Sequence, residues 1–234
     1  RGHVGAAGAE TPAPIDEPAD VAGTIDAAAG VDSQCAGSHI ARARKNLAAL
    51  EALAAAEERG SATATEIAAM EAYSGWGGAQ KAFSEKAEGE WGEVRDRLRE
   101  LLSDDEFASQ RHTVLTAFYT PAPVIGAIYD ALREAGIGRG DKPASILEPG
   151  CGTGNFMRLA PADLALDFHG VELDPISARI AQALCPKAHI TAAGLEECRV
   201  SPASFDAAIG NVPYSGDIKI DGMPIHDYFI RKSV

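Results

Sequence analysis

The chain is short of basic residues and has few cysteines. It carries 21 Lys and Arg residues against 34 Asp and Glu residues, for a net charge of −13. Because binding to a phosphate backbone is driven by Lys and Arg, this balance counts against tight binding of nucleic acid by this chain on its own. The four cysteines form no C-x-x-C pair and have no histidine cluster beside them. We therefore predict no metal site, no disulfide framework and a reducing cytoplasmic location.

Long apolar runs are absent as well. No stretch of 18 or more apolar residues occurs, so no membrane span is predicted. The acidic start, rich in Ala and Gly, lacks the basic and apolar regions of a signal peptide. Because the sequence begins with Arg1 rather than methionine, we expect a piece of a longer protein. Apolar residues still make up 46% of the chain, which is typical of a globular protein.

Composition divides the chain into three parts. Residues 1–35 hold almost no large apolar side chains, which predicts a disordered tail or linker. Residues 36–118 show apolar residues at helical spacing, with capping boxes beginning at Thr63 and Ser103, and predict a helical segment. Residues 119–234 alternate short apolar runs with helical stretches, which predicts an α/β fold with a parallel sheet.

The last part holds four predicted strands and begins with a helix. Thr120 is predicted as the N-cap of that helix, with Pro121 at its first helical position. A further helix is predicted from residue 225 to the end. The strands are expected near residues 145–147, 168–171, 188–191 and 205–209.

The first strand leads into a glycine-rich turn, E-P-G-C-G-T-G-N, over residues 148–155. Glycines let the backbone approach a ligand closely, and the start of the following helix offers free N–H groups. The turn is one residue tighter than a dinucleotide-binding G-x-G-x-x-G turn, and Glu148 would repel a pyrophosphate. We therefore predict a cofactor that carries an ammonium group and no phosphate.

An acidic residue ends the second predicted strand. Glu172 is placed to bond the hydroxyl groups of a ribose, as acids at this position do in nucleotide-binding folds. Leu173 beside it could pack on an adenine ring. The alternative is a surface acid that begins the turn at Asp174 and Pro175.

The fourth predicted strand leads into the turn N-V-P-Y over residues 211–214. The side-chain oxygen of Asn211 and the backbone carbonyl of Val212 can accept the two N–H groups of a planar exocyclic amine. Pro213 stiffens the turn, and Tyr214 offers an aromatic face to a flipped base. The alternative is an ordinary Asn-x-Pro turn, but the carboxyl edge of the sheet is where such folds bind ligands.

These motifs, in this order, resemble the N6-adenine DNA methyltransferases whose cofactor motifs come first. The closer resemblance is to the methyltransferase region of the large helicase–methyltransferase fusion proteins of phages, plasmids and other bacterial mobile elements. It covers roughly residues 40–234. Besides the glycine turn and N-V-P-Y, it is carried by the segments 73–78 (Y-S-G-W-G-G), 101–107, 113–119, 118–121 (F-Y-T-P), 170–174 (G-V-E-L-D) and 225–229.

The resemblance implies a Rossmann-like fold, the cofactor S-adenosylmethionine (SAM) and a role for each matching residue. Together with Leu173, predicted above from its place beside Glu172, the residues assigned to the cofactor are Tyr119, Thr120, Glu148, Gly150, Gly152, Gly154, Glu172, Leu195, Glu196 and Asn211. Those it assigns to catalysis and the target pocket are Asn211, Pro213 and Tyr214. Val212 stands where the DNA enzymes usually have a further proline, and its carbonyl can still serve as the acceptor.

The resemblance also implies partners. The resembled fold has seven strands in the order 3-2-1-4-5-7-6, and we expect the chain to hold the first four. The missing strands and a helicase region are expected in the same or a partner chain, with DNA as the substrate and without a metal. Two alternatives stay open: a protein-glutamine or RNA-adenine amino methyltransferase, and a non-catalytic SAM-binding module of a larger complex.

Overall fold

The fold is known from a computed structural model, which describes residues 31, 34, 36–114, 119–201, 203–214 and 218–233. Val31 and Gln34 are the residues of the predicted tail that fall within this range, and both are buried. The rest of that prediction lies outside the described residues, as do Phe118 and Val234.

Residues 36–114 form a helical layer. The two predicted capping boxes are confirmed. The side chains of Thr63 and Ser103 each accept the backbone N–H of the glutamate three residues later, and their own backbone N–H donates to the side chain of that glutamate. Within the described residues, no helix is both long enough and apolar enough to cross a membrane. The layer consists of α1 (His39–Arg59), α2 (Ala64–Glu71), a 3-10 helix (Gln80–Phe83), α3 (Glu90–Leu101) and α4 (Asp104–Thr113).

The next helix, α5, begins one residue later than predicted. It spans Ala122–Glu134 with Pro121 as its N-cap, so the prediction of Thr120 as N-cap was wrong. The reason is in the hydrogen bonds: the backbone N–H groups of Val124 and Ile125 donate to the carbonyl of Pro121, which makes Pro121 the first acceptor of the helix.

A parallel four-stranded sheet follows, in the order β3-β2-β1-β4. This order confirms the predicted α/β class and the strand order 3-2-1-4, and the architecture is Rossmann-like. Strand β4 forms one edge of the sheet. The elements are β1 (Ala144–Pro149), α6 (Asn155–Arg158), β2 (Leu166–Glu172), α7 (Pro175–Leu184), β3 (His189–Ala192) and β4 (Ala207–Ala208).

A small antiparallel hairpin, absent from the prediction, comes after β4. Its strands are β5 (Lys219–Ile220) and β6 (Met223–Pro224), and it leads into the predicted last helix, α8 (Ile225–Ser233). Two-residue strands are too short to produce a readable alternation of apolar and polar residues. The turn between them uses Gly222, whose φ of +77° is a conformation that suits glycine.

Successive strand residues point to opposite faces of the sheet, and each face is covered by other elements. Ile146 packs on one side with Phe168 and with Ile125 of α5. Leu147 packs on the other side with Val171, under α8. Both β1 side chains are fully buried. Each burial of this size stabilises the fold by about 1.5–3 kcal/mol.

Helix α7 joins the helical layer to the sheet. Ile176 and Ile180 are part of the same buried cluster as Trp76 and Leu98 of the helical layer. Ala178 packs in the cluster that covers the sheet. The turn at the start of α7, next to the end of β2, therefore contacts both layers.

Candidate functional site

The glycine turn lies at the carboxyl end of β1. Gly150, Gly152 and Gly154 have φ values of +72°, +56° and +79°, a region that side-chain-bearing residues rarely adopt. The backbone N–H groups of Gly150 and Cys151 donate to the carbonyl of Val171, at 2.7 and 3.1 Å. These bonds fix the turn against the end of β2, so the residues that follow β1 and β2 share one edge.

Glu148 is a buried carboxyl group beneath this turn. It is 2% exposed, and its Oε2 has no hydrogen-bond partner among the described residues. Burial, reinforced by the charge of Glu172, holds its pKa well above the usual range. An unpaired buried acceptor is costly, and a ligand that carries an N–H donor would relieve that cost.

Glu172 is clamped by two backbone amides. Its Oε2 accepts the N–H of Gly152 and its Oε1 accepts the N–H of Asp174, both at 2.8 Å. Burial raises its pKa to about 7, although these amide bonds oppose the rise. Each carboxylate oxygen can accept a second hydrogen bond. Shaping the turn and binding a ribose are therefore compatible roles for the same side chain.

Tyr119 lies beside the glycine turn. A Cβ added to Gly152 would lie 3.8 Å from Cε1 of its ring. Burial and the nearby carboxylates of Glu172 and Asp174 raise the pKa of its hydroxyl above the usual range, so it stays a neutral hydroxyl. Thr120, the next residue, is half-buried.

The N-V-P-Y turn reaches the same place from β4. The N–H of Ile209 donates to the carbonyl of Leu147 at 2.9 Å, which continues the pairing of β4 with β1. A Cβ added to Gly150 would lie 3.9 Å from Cδ of Pro213. The structure thus brings the predicted target pocket next to the predicted cofactor turn.

The other residues of this turn differ in exposure. Asn211 and Val212 are half-buried, and Val212 packs against the buried cluster under α8. Tyr214 is 69% exposed, with its ring centroid 6.2 Å from that of His226. An exposed aromatic ring at the ligand edge is available for stacking.

The three remaining predicted cofactor residues differ in how far they are exposed. Leu173 is 73% exposed beside Glu172, so its side chain is available to a ligand ring. Leu195 is 2% exposed and packs in the core, which leaves its side chain little surface to offer. Glu196 next to it is exposed. The contacts proposed for Leu195 and Glu196 stay predictions.

Phe229 of α8 contributes to this edge without having been predicted. Its Cε1 would lie 3.7 Å from a Cβ added to Gly150. It is 8% exposed and packs with Leu147 and Val171. The motif at residues 225–229 was noted only as part of a resemblance, and nothing in its local pattern indicates that a phenylalanine covers the glycine turn.

A buried hydrogen-bond network behind Glu172 was also missed, which we call the Gln110 network. The Oε1 of Gln110 accepts from the hydroxyl of Tyr73 at 2.6 Å and from Nε1 of Trp76 at 2.9 Å. Its Nε2 donates to Oδ1 of Asp174 at 2.6 Å. Asp174 in turn caps α7 by accepting the N–H and hydroxyl of Ser177. The network connects the Y-S-G-W-G-G segment of the helical layer to the turn that holds Glu172.

Comparisons with known proteins give partial matches among solved structures. No protein-family model matches the chain, and no curated protein matches it. A proposed RNA methyltransferase from Pyrococcus horikoshii is 19% identical over 51% of this chain and 58% of its own, with a TM-score of 0.41. A proposed class I S-adenosylmethionine-dependent methyltransferase from Listeria monocytogenes is 17% identical over 82% and 68%, with a TM-score of 0.41.

A third similar structure is the methyltransferase subunit of a type I restriction-modification system from Streptococcus thermophilus. It is 19% identical over 54% of this chain and 32% of its own, with a TM-score of 0.35. The chain thus spans 58% of the Pyrococcus protein and 32% of the Streptococcus subunit. All three matches are distant, and the fold described above rests on the strand order that the chain itself shows.

Proposed function

We propose that the chain is the cofactor-binding and target-binding part of a SAM-dependent methyltransferase that modifies N6 of adenine in DNA. The observation that carries the proposal is the unpaired Oε2 of Glu148, buried beneath a three-glycine turn. The turn that could hold an amine lies directly beside it. The proposal includes further strands of the fold and a helicase region, located in the same chain or in a partner chain.

The residues present fit SAM. Glu148 offers an acceptor to the ammonium of the methionine moiety, and the glycine turn allows the ligand close to the backbone. Glu172 retains acceptor capacity for the two ribose hydroxyl groups. Tyr119 and Thr120 would flank the methionine end, and the exposed Leu173 would pack on the adenine ring.

The target amine would be held by the N-V-P-Y turn. SAM, when bound, supplies a methyl group made electrophilic by its sulfonium. The side-chain oxygen of Asn211 and the carbonyl of Val212 would accept the two N–H groups of the amine and so direct its lone pair toward the methyl group. Pro213 holds the turn rigid, and Tyr214 would stack on the base. Catalysis is then mainly alignment of the reacting atoms.

A second candidate substrate is the side-chain amide of a protein glutamine. The observation that favours it is the excess of acidic over basic residues, 34 against 21, which opposes binding to a phosphate backbone. An amide amine has the same two N–H groups as adenine N6 and suits the same acceptors. Transfer of labelled methyl groups to adenine-containing DNA and to a glutamine peptide, measured side by side, distinguishes the two.

We expect Asn211→Ala to lower methyl transfer by about 100-fold or more, because one of the two acceptors that align the amine is lost. SAM affinity should change by less than about threefold, because the cofactor is held mainly by Glu148 and Glu172. Single-turnover transfer and calorimetric titration measure the two quantities. If SAM binding fell as far as transfer, the proposed division between cofactor and target residues would be wrong.

We also expect SAM binding to strengthen as the pH rises from about 6 to about 7.5. The pKa of Glu172 is raised to about 7, and ribose hydroxyl groups donate to the ionised carboxylate. Below pH 7, Glu172 must therefore release a proton when SAM binds. This makes the affinity about eightfold lower at pH 6 than at pH 7.5. The range stops at about 7.5 because an α-amino group loses its proton near pH 8.

Calorimetric titrations in buffers of equal ionic strength measure this dependence. The matched variant Glu172→Gln lacks this titrating group and keeps Glu148, so its affinity should vary less over the same range than that of the wild type. A wild-type affinity independent of pH would contradict an ionised Glu172 in the bound state.

A further inference from the structure

Three side chains with metal-ligating atoms converge at the opposite end of β2 from the proposed cofactor site. β2 and β3 are parallel, and the register places His169 directly beside His189. Asp167 precedes His169 by two residues, so both lie on the same face of the sheet. The sheet backbone, rather than a loop, therefore sets the positions of all three.

The distances are close to those of a metal site. Nε2 of His169 lies 3.6 Å from one carboxylate oxygen of Asp167, and Nε2 of His189 lies 3.7 Å from the other. One ligand atom from each residue can be chosen so that all lie within 4.8 Å of one another. Tetrahedral Zn²⁺ with bonds of about 2.0–2.1 Å places its ligand atoms about 3.3 Å apart. Reaching that separation requires each pair of ligand atoms to approach by about 1.5 Å or less.

The two imidazole rings are already arranged side by side. Their centroids are 4.9 Å apart with 27° between the planes. The ring of His169 also packs edge-on against Phe205 at 5.2 Å, which restrains its orientation. His189 is 68% exposed at its side chain and can adjust toward an ion. A restrained ligand and an adjustable one therefore face the same carboxylate.

The donor set indicates which ion fits. Ca²⁺ and Mg²⁺ prefer sites made entirely of oxygen ligands, whereas two imidazoles and one carboxylate suit Zn²⁺. His189 is exposed and Asp167 is half-buried, so the cluster is open to an ion from solvent. Three protein ligands leave a fourth position, which water can fill.

We propose that Asp167, His169 and His189 form a binding site for Zn²⁺ that joins β2 to β3. The site is separate from the proposed cofactor site, because its nearest member on β2, His169, precedes Glu172 by three residues, or about 10 Å along the strand. Bound Zn²⁺ would hold the two strands together in the folded state and so stabilise the fold. The proposal does not depend on methyltransferase activity.

The test is a titration of the whole chain with ZnCl₂ by calorimetry, after treatment with chelator. We expect one Zn²⁺ per chain and a rise in melting temperature on its addition. His189→Ala and Asp167→Asn should each weaken binding by more than about tenfold, since losing even a partner of a ligand can cost that much. His112→Ala, which removes an exposed histidine from the end of α4, is the matched control and should bind as the wild type does.

His189 is exposed, so its alanine variant is expected to fold, and circular dichroism in chelator checks this for every variant. Wild-type protein that takes up no Zn²⁺ would overturn the proposal and would mean an ion-paired Asp–His cluster only. Equal Zn²⁺ affinity in the wild type and His189→Ala would also overturn it, because the ion would then bind elsewhere, for example at a cysteine.

Discussion

Replacing Glu172 with alanine is expected to weaken SAM binding by about 100-fold. A hydrogen bond to a charged group contributes about 1.5–3 kcal/mol, and two ribose hydroxyl groups would lose their acceptor. The variant also releases the amides of Gly152 and Asp174, so the turn itself becomes less well defined. Calorimetric titration with SAM gives the dissociation constants of the wild type and the variant directly.

The control for this experiment is Glu134→Ala, which removes an exposed glutamate from the end of α5. Its SAM affinity should equal that of the wild type. Melting temperatures show whether the Glu172 variant is still folded at the temperature of the titration. An affinity within about threefold of the wild type would mean that Glu172 only shapes the turn, the alternative interpretation of this acid.

Replacing Gln110 with alanine is expected to lower the free energy of unfolding by about 3 kcal/mol or more. Gln110 is completely buried and is the shared partner in the Gln110 network. Its removal leaves the hydroxyl of Tyr73 and the indole N–H of Trp76 without their acceptor. Each buried polar group that loses its partner costs about 1–3 kcal/mol. Urea unfolding followed by tryptophan fluorescence and circular dichroism measures the loss.

Gln80→Ala serves as the comparison, because Gln80 is an exposed glutamine in the same helical layer. Its free energy of unfolding should change by less than about 0.5 kcal/mol. If the free energy of unfolding fell no further in the Gln110 variant than in the Gln80 variant, water or a local rearrangement would have to supply new partners for Tyr73 and Trp76. The hydrogen bonds of the network would then contribute little to stability.

The sheet, and the grouping of the motif residues at its carboxyl edge, could be predicted because their signals are local. A glycine turn after an apolar run marks both the end of β1 and the start of a helix, and Asp174 followed by proline marks the start of α7. Once four strands are assigned to a parallel sheet, their carboxyl ends must share an edge. The residues at 148–154, 172 and 211–214 could therefore be grouped without a structure.

The features that were missed depend on contacts between distant parts of the chain. Gln110 and Asp174 are 64 residues apart, and no pattern near either predicts their hydrogen bond. His169 and His189 become neighbours through the register of β2 with β3, and no local pattern near either histidine indicates that pairing. The prediction of no metal site was based on the cysteines and on histidines near them in sequence, so it did not take account of the two histidines and the aspartate that the sheet brings together.

The two amides on Glu172 have a consequence for how the site meets a ligand. A free glutamate samples several rotamers and must give up that freedom when it binds, at a cost of about 0.5–1.5 kcal/mol. Here the amides of Gly152 and Asp174 already hold the carboxylate in one orientation. That entropy is lost during folding rather than during association. The edge of the sheet is in this sense preorganised, so a ligand that bound to Glu172 would keep more of its contact energy as affinity.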